Sequence, residues 1–439
     1  MVEVQPILSP AELRAKQYMI NMVKYASFKP CDMGNGNNIH VTLPKWYDEE
    51  NFRRGQKYFM DNRFGMLTSN LYGLFTLLAD PKGLDVLDST GRSSTPETAK
   101  NRYISTIVHM LSWYEDDLRP GSKSWASLNR VRKMHLNASN GADKKKIGSI
   151  TQTELALTTF GFMGFALVRP QFLGIQCDNK ADREGFIHFW AVIGHMLGVD
   201  DEYNMCLFDI ETVEIICLIM IRYIFIPIIQ LETPKFKEMT SALCKGLSRF
   251  MPHMSYDVQM FLVKRIVGVP GYQHNVDLSK ETICKQMFNA EELSSANEVV
   301  KMLHTNKSDL LKIYDILFRD GIPVTLPKKS VLIEIPANHK DVHNNNLSLK
   351  HNDESIEIAD KKFHWIMKST DSSDWKVHLH DGELSVLNKW DQLSVRWLCL
   401  TLKWYENSVG RYFCEMGLNA VLFFIRRYYQ RNIARKSSK

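Results

Sequence analysis

Residues 99–114 read AKNRYISTIVHMLSWY, and the spacing of the apolar side chains in this stretch decides the fold class. Ala99, Tyr103, Ile104, Ile107, Met110, Leu111 and Tyr114 recur three and four apart, the period of a helix with one buried face. The same period runs through 18–25, 64–78, 151–168, 183–197 and 210–229. Proline and glycine mark breaks at Pro81-Lys82-Gly83, Pro120-Gly121, Arg169-Pro170 and Gly268-Val269-Pro270-Gly271. Alternating, strand-like sequence is scarce, and 330–335 (SVLIEI) is its best example. The pattern predicts an all-α protein.

The composition narrows the class without naming a function. The chain has 439 residues, 44% hydrophobic, 11% aromatic and 24% charged, as in a folded protein rather than a disordered one. Its formal charge of +6 is concentrated in the last turns: Arg426, Arg427, Arg431, Arg435, Lys436 and Lys439 follow one another without an acid, and the rest of the chain is neutral. A neutral body argues against a nucleic-acid binder, which needs a basic face on its folded domain. Eight cysteines are scattered with no CxxC, haem-attachment or zinc spacing, so they read as small buried apolar groups in a reducing compartment. The first residues lack the apolar core of a signal peptide.

Two apolar runs raise the question of lipid. Residues 215–231 (IICLIMIRYIFIPIIQL) contain Arg222 and Pro227 and are short for a span; a central buried helix is the plainer reading. Residues 416–425 (MGLNAVLFFI), followed by RRYYQRNIARKSSK, suit an interfacial anchor on an anionic surface or an ordinary docked terminal helix. Between 337 and 360 the chain is polar and rich in Asn and His, the composition of a linker or long loop. These features divide the chain into a helical segment (1–44), a main helical domain (45–336), the linker and a C-terminal extension (361–439).

Within 99–138 polar groups appear on patterned helix. Arg102, Thr106 and His109 stand at i, i+4 and i+7, on one face. Such groups are costly to bury alone, so Arg102 either pairs with a carboxylate or serves a site. Further on, Arg132 and His135 are i and i+3 in NRVRKMHLNA (129–138); His135 could be a metal ligand, a base or a satisfied core histidine.

Taken together, R-x-x-x-T (102–106), the Pro120-Gly121 break and V-R-x-x-H-x-x-A (131–138) resemble the latex-clearing protein and mpaB-type oxygenase family. The resemblance extends to FRRGQKYFMDNRFGMLTSNLY (52–72), the L-x-x-T-G-R turn (87–92), QTELALTTF (152–160) and W-x-x-I-G-x-x-L-G (190–198), and so spans about residues 45–260. It implies an all-α, globin-like or orthogonal bundle enclosing haem b, with a helical C-terminal extension. His135 would be the iron ligand, and Arg102, Ser105 and Arg132 would also contact the cofactor. Arg102 and Thr106 would face the open side of the haem, where dioxygen enters. Glu154 is a candidate base for an allylic proton, or one half of a structural ion pair. The implied reaction adds oxygen across a carbon–carbon double bond of an apolar isoprenoid or unsaturated lipid. The implied location is the cytosolic face of the endoplasmic reticulum, contacted through the C-terminal tail, with a cytoplasmic protein as the alternative. Two positions depart from the family pattern: Ser105 stands where some members have lysine, and Ser139 where arginine is common. They leave room for a non-catalytic haem- or lipid-binding protein. The FGFMGF stretch (160–165) suits an apolar channel or a helical core equally well.

Overall fold

A computed structural model describes residues 9–32, 40–251, 253–269, 272 and 386–437. Among them every regular element is helical, and the one strand-like pairing is an antiparallel bridge between Pro30 and Thr151. The predicted strand 330–335, the linker 337–360 and its histidines lie outside the described residues.

Helix α1 (Pro10–Lys24) opens on a reciprocal cap between Ser9 and Glu12. The stretch 52–72 reads as one helix in sequence but forms parts of two, α2 (Glu49–Asp61) and α3 (Arg63–Ala79), divided at Asn62. The Asn62 side chain accepts a hydrogen bond from the Gln176 N–H at 2.8 Å and donates to the Tyr58 carbonyl at 3.1 Å. A contact from 114 residues away therefore sets the break. Helix α4 (Pro81–Ser89) starts at the Pro-Lys-Gly signal, with the Asp80 carboxylate accepting from the Gly83 N–H at 2.7 Å. Helices α5 (Pro96–Glu115) and α6 (Lys123–Lys144) flank the Pro120-Gly121 turn, and α7 (Gln152–Val168) and α8 (Lys180–Met196) complete the site-bearing set.

The core is organised by two close crossings, α2 on α8 and α3 on α7. A Cβ on Gly55 would lie 2.3 Å from the Gly185 carbonyl oxygen, and one on Gly73 only 1.7 Å from that of Gly161. The backbones thus pass in contact, which only glycine permits. Stacked rings fill the flanks of the first crossing: Phe52 on Phe189 at 4.8 Å, Tyr114 on Phe189 at 4.2 Å and Phe59 on Tyr114 at 3.6 Å.

The run 215–231 occupies α9 (Ile210–Met220), a π-helical turn (Ile221–Phe225) and α10 (Ile226–Leu231). Pro227 cannot donate to a regular helical ladder, and the widened turn directly before it accommodates the lost bond. Ile216, Ile226 and Ile229 are completely buried, as the plainer reading expected. Among the described residues no helix is long and apolar enough to cross a membrane. Helices α11 (Pro234–Leu247) and α12 (Tyr256–Val267) follow, the latter ending on Gly268 with a left-handed φ of 90°.

Two further helices, α13 (Lys389–Tyr405) and α14 (Ser408–Ser437), form a hairpin laid on α12, α3 and α5. Polar contacts fasten it: Arg63 to Glu415 at 2.8 Å, Tyr405 to Glu415 at 2.8 Å, Arg411 to the Gly174 carbonyl at 3.0 Å, and Arg426 to Glu115. The anchor candidate 416–425 is therefore part of a docked helix. Leu422 and Ile425 are buried there, whereas Met416, Phe423 and Phe424 face outward.

Candidate active site around His135

The site is assembled by α5 and α6 with the turn after α4. The Arg102 guanidinium is half-buried and donates to two hydroxyls, Thr90 Oγ1 at 3.1 Å and Ser93 Oγ at 3.3 Å. Thr90 belongs to the L-x-x-T-G-R turn, which Gly91 closes with φ 64°. Among the described residues no carboxylate pairs with Arg102. Burial, with the Arg92 charge nearby, holds the Arg102 pKa below its usual value. Thr106 is exposed and returns its hydroxyl to the Arg102 carbonyl of its own helix at 3.2 Å. Ser105 is half-buried.

His135 differs from the other histidines on these helices. His109 Nδ1 bonds Ser127 Oγ at 2.8 Å, His195 Nδ1 bonds Asp201 at 2.7 Å, and His188 Nε2 accepts from the Asp48 N–H at 3.1 Å. His135 Nδ1, by contrast, is buried with no hydrogen-bond partner. Burial and the Arg102 charge push its pKa down to about 4, against a smaller opposing pull from Asp32. The imidazole is neutral at pH 7, the protonation state a metal ligand needs. The residue as a whole nonetheless keeps some solvent contact.

The remaining predicted residues are drawn into structural contacts. Arg132 grips Asp32 with Nε at 3.0 and 3.2 Å from the two carboxylate oxygens, adds a third bond through Nη2, and donates from Nη1 to the Met196 carbonyl at 3.3 Å. Asp32 adopts a left-handed φ of 54° and lies against Gly198, so Arg132 pins residues near the N-terminus to α6 and to the end of α8. Glu154 caps α7: one oxygen accepts from the Thr151 N–H and hydroxyl, each at 2.6 Å, and the other meets Lys82 at 2.9 Å. Ser139 accepts from the Ile150 N–H at 2.9 Å. Phe160, Met163 and Phe165 are buried to 1% exposure or less, and Phe162 stacks on Trp190 at 5.0 Å; the FGFMGF stretch is core.

Arg102 and His135 are thus brought together, with Arg132 and Asp32 beside them. Sequence reading missed the residues that hold Arg102. Thr90 stood inside a quoted motif, whereas Ser93 carried no signal. Asp32, 100 positions from Arg132, also had none.

Among the described residues, then, an all-helical body sets a neutral imidazole whose Nδ1 has no partner beside an arginine with no acid on it. Residues 56–206 match the family model described as ER-bound oxygenase mpaB/B'/Rubber oxygenase, catalytic domain. That segment holds Arg102, Thr106, Arg132, His135 and Glu154, and its match agrees with the motif resemblance read from the sequence. A solved structure of latex clearing protein in the closed state is similar at 16% sequence identity and a TM-score of 0.41, over 73% of this chain and 84% of that one. No curated protein matches the chain.

Proposed function

We propose that the protein is a haem b-dependent oxygenase that cleaves or oxidises a carbon–carbon double bond in an apolar isoprenoid or unsaturated lipid. The observation that carries this reading is His135: a buried ring nitrogen with no partner, held neutral, inside the matched segment. The residues fit the group. A neutral imidazole is a ligand in waiting, and Arg102 is a half-buried cation available to an acidic group.

Bound haem would supply iron for dioxygen activation. In that arrangement His135 would hold the iron, while Asp32 and Arg132 fix the helix that carries it. Arg102, aimed by Thr90 and Ser93, would meet a propionate or negative charge that develops during the reaction. Thr106 would have to turn its hydroxyl away from the Arg102 carbonyl to donate elsewhere. Glu154 would take an allylic proton only after releasing Thr151 or Lys82. Purified protein supplied with haem should show a Soret band and take up oxygen with unsaturated isoprenoid lipids. Absence of a Soret band overturns the cofactor; a Soret band without oxygen uptake favours the second reading.

That second reading, a haem- or lipid-binding protein without turnover, is supported by Ser105 and Ser139 and by the capped state of Glu154. Under either reading the protein contacts a membrane peripherally through its C-terminal region, at the cytosolic face of the endoplasmic reticulum.

A further inference from the structure

The hairpin carries a feature that oxygenase chemistry does not use. On α13, Trp390, Leu393, Trp397, Leu400 and Trp404 recur at alternating spacings of three and four and form one stripe along the whole helix. All five are exposed, from Trp390 at 80% to Trp404 at 47%. The opposite face, Val395, Cys399, Leu402 and Tyr405, is buried, so the helix is apolar on both sides, and on the outer side the Trp397 ring stacks on His253 at 4.4 Å while the rest of the stripe is open. On α14 a second stripe, Val409, Tyr412, Phe413, Met416, Phe423 and Phe424, is also exposed. The two meet at the bend, where Trp404 stacks on Phe413 with ring centroids 5.7 Å apart. Five large apolar side chains on α13 and six on α14 thus face outward, joined at the bend, and apolar groups clustered on a surface mark an interaction site.

Charge identifies the occupant. Lys389, Arg396 and Lys403 each precede one of the three tryptophans and recur every seven residues, about two turns, along the edge of the stripe. Arg426, Arg427, Arg431 and Arg435 are exposed further along α14. Arg426 pairs with Glu115 of α5, and the hairpin itself carries three acids. Glu415 is held by Arg63 and Tyr405, the Asp391 carboxylate accepts from the Ser255 hydroxyl and the Asn388 side-chain amide, and Glu406 sits in the turn. Tryptophan bordered by lysine and arginine is the chemistry of the boundary between headgroup and acyl chain in an anionic bilayer. A protein partner of matching shape would have to bring both acids to the same edge and an acceptor to each of the three tryptophan N–H groups, which an interfacial headgroup layer supplies without a fixed geometry.

We propose that the outer face of the α13–α14 hairpin lies in the surface of an anionic phospholipid membrane, with α13 inserted as deeply as α14. The proposal deepens the peripheral-membrane part of the functional reading by naming the face and the lipid class. It is independent of the oxygenase part.

The test is co-sedimentation of the full chain with phosphatidylcholine vesicles, with and without phosphatidylserine, together with tryptophan quenching by brominated lipid. Wild type should bind the phosphatidylserine vesicles, be quenched, and lose binding as salt rises. The double variant Trp390→Glu/Leu400→Glu should bind at least about tenfold more weakly. Lys389→Gln/Arg396→Gln/Lys403→Gln should lose about fivefold for each charge removed. Both variants should keep wild-type helix content and melting temperature, because the altered side chains are exposed.

Three results overturn the proposal. If the α13 variants bind normally while truncation after Ile425 abolishes binding, the basic tail alone is the anchor and the peripheral reading survives without this face. If wild type binds no vesicle, both fall. If wild type is a dimer that Trp390→Glu/Leu400→Glu makes monomeric, the face joins two copies of this chain.

Discussion

The α2–α8 crossing and the α13–α14 hairpin solve opposite problems with similar residues. At the crossing, glycine lets two backbones touch, and the stacked rings of Phe52, Phe189 and Tyr114 are shut inside, none more than 3% exposed. At the hairpin, rings of the same kind lie outside, and the inward-facing contacts include ion pairs such as Arg63–Glu415 and Arg426–Glu115. Apolar periodicity therefore reports that a face will leave water, but not whether protein or lipid receives it. Cations stand beside rings in both, Arg53 after Phe52 and Lys57 before Tyr58 at the crossing and Lys389, Arg396 and Lys403 before the tryptophans of α13, so it is the fold, not the neighbouring charge, that sends one set inward and the other outward.

This contrast is broken most directly by paired substitutions. Gly73→Val places a side chain where 1.7 Å separates a Cβ from the Gly161 carbonyl, and should cost about 3 kcal/mol or more, enough to deplete folded protein. Trp390→Ser on the hairpin should change stability by no more than about 0.5 kcal/mol. Thermal melts of the two variants check this, and a large loss in Trp390→Ser would show that the outer face is already covered in the isolated chain.

His135→Ala should remove most bound haem, read by the Soret band, while leaving the melting temperature of the haem-free protein near wild type. Retention of haem in that variant would promote His109 or His195. Arg102→Ala should keep haem and reduce oxygen uptake by about 10²–10³, the usual effect of losing one preorganised donor. If Arg102 instead holds a propionate, haem content falls with activity; normal values of both remove it from the site.

A pH-dependent effect concerns Asp80. Burial and the nearby Glu154 charge raise its carboxyl to about 6 from 3.8. The folded state then holds a proton that the unfolded state gives up between pH 3.8 and 6, so this group makes stability fall as pH rises through that window. Asp80→Asn keeps the cap to Gly83 and should flatten the profile, gaining about 1–3 kcal/mol on wild type at pH 7 relative to pH 4. Urea midpoints across that range measure it.

The helices were readable because burial imposes its period on local sequence. Boundaries were less so: nothing near Asn62 shows that Gln176 will claim its side chain and split α2 from α3. At the site, the His135 and Arg102 motifs were visible, but not what surrounds them. The acid expected for Arg102 proved to be two hydroxyls, and Arg132 found its acid at Asp32. Partners of buried charges are chosen by the fold, across distances that a sequence window does not span.

At 1.5 Å per residue the thirty residues of α14 make a rod of about 45 Å. Near its far end Tyr428 and Asn432 each donate to Asn101 at 2.8 Å, the residue next to Arg102, and Tyr429 approaches His109 at 3.4 Å. Such a rod is a lever. A load applied along its outer side would bear on the turn of α5 that carries Arg102, whose guanidinium Thr90 and Ser93 hold in place, so a surface that seats the hairpin would also press on the site. An oxygen-uptake rate that responds to vesicles in wild type, but not when Tyr428→Phe and Asn432→Leu are combined, would register that transmission.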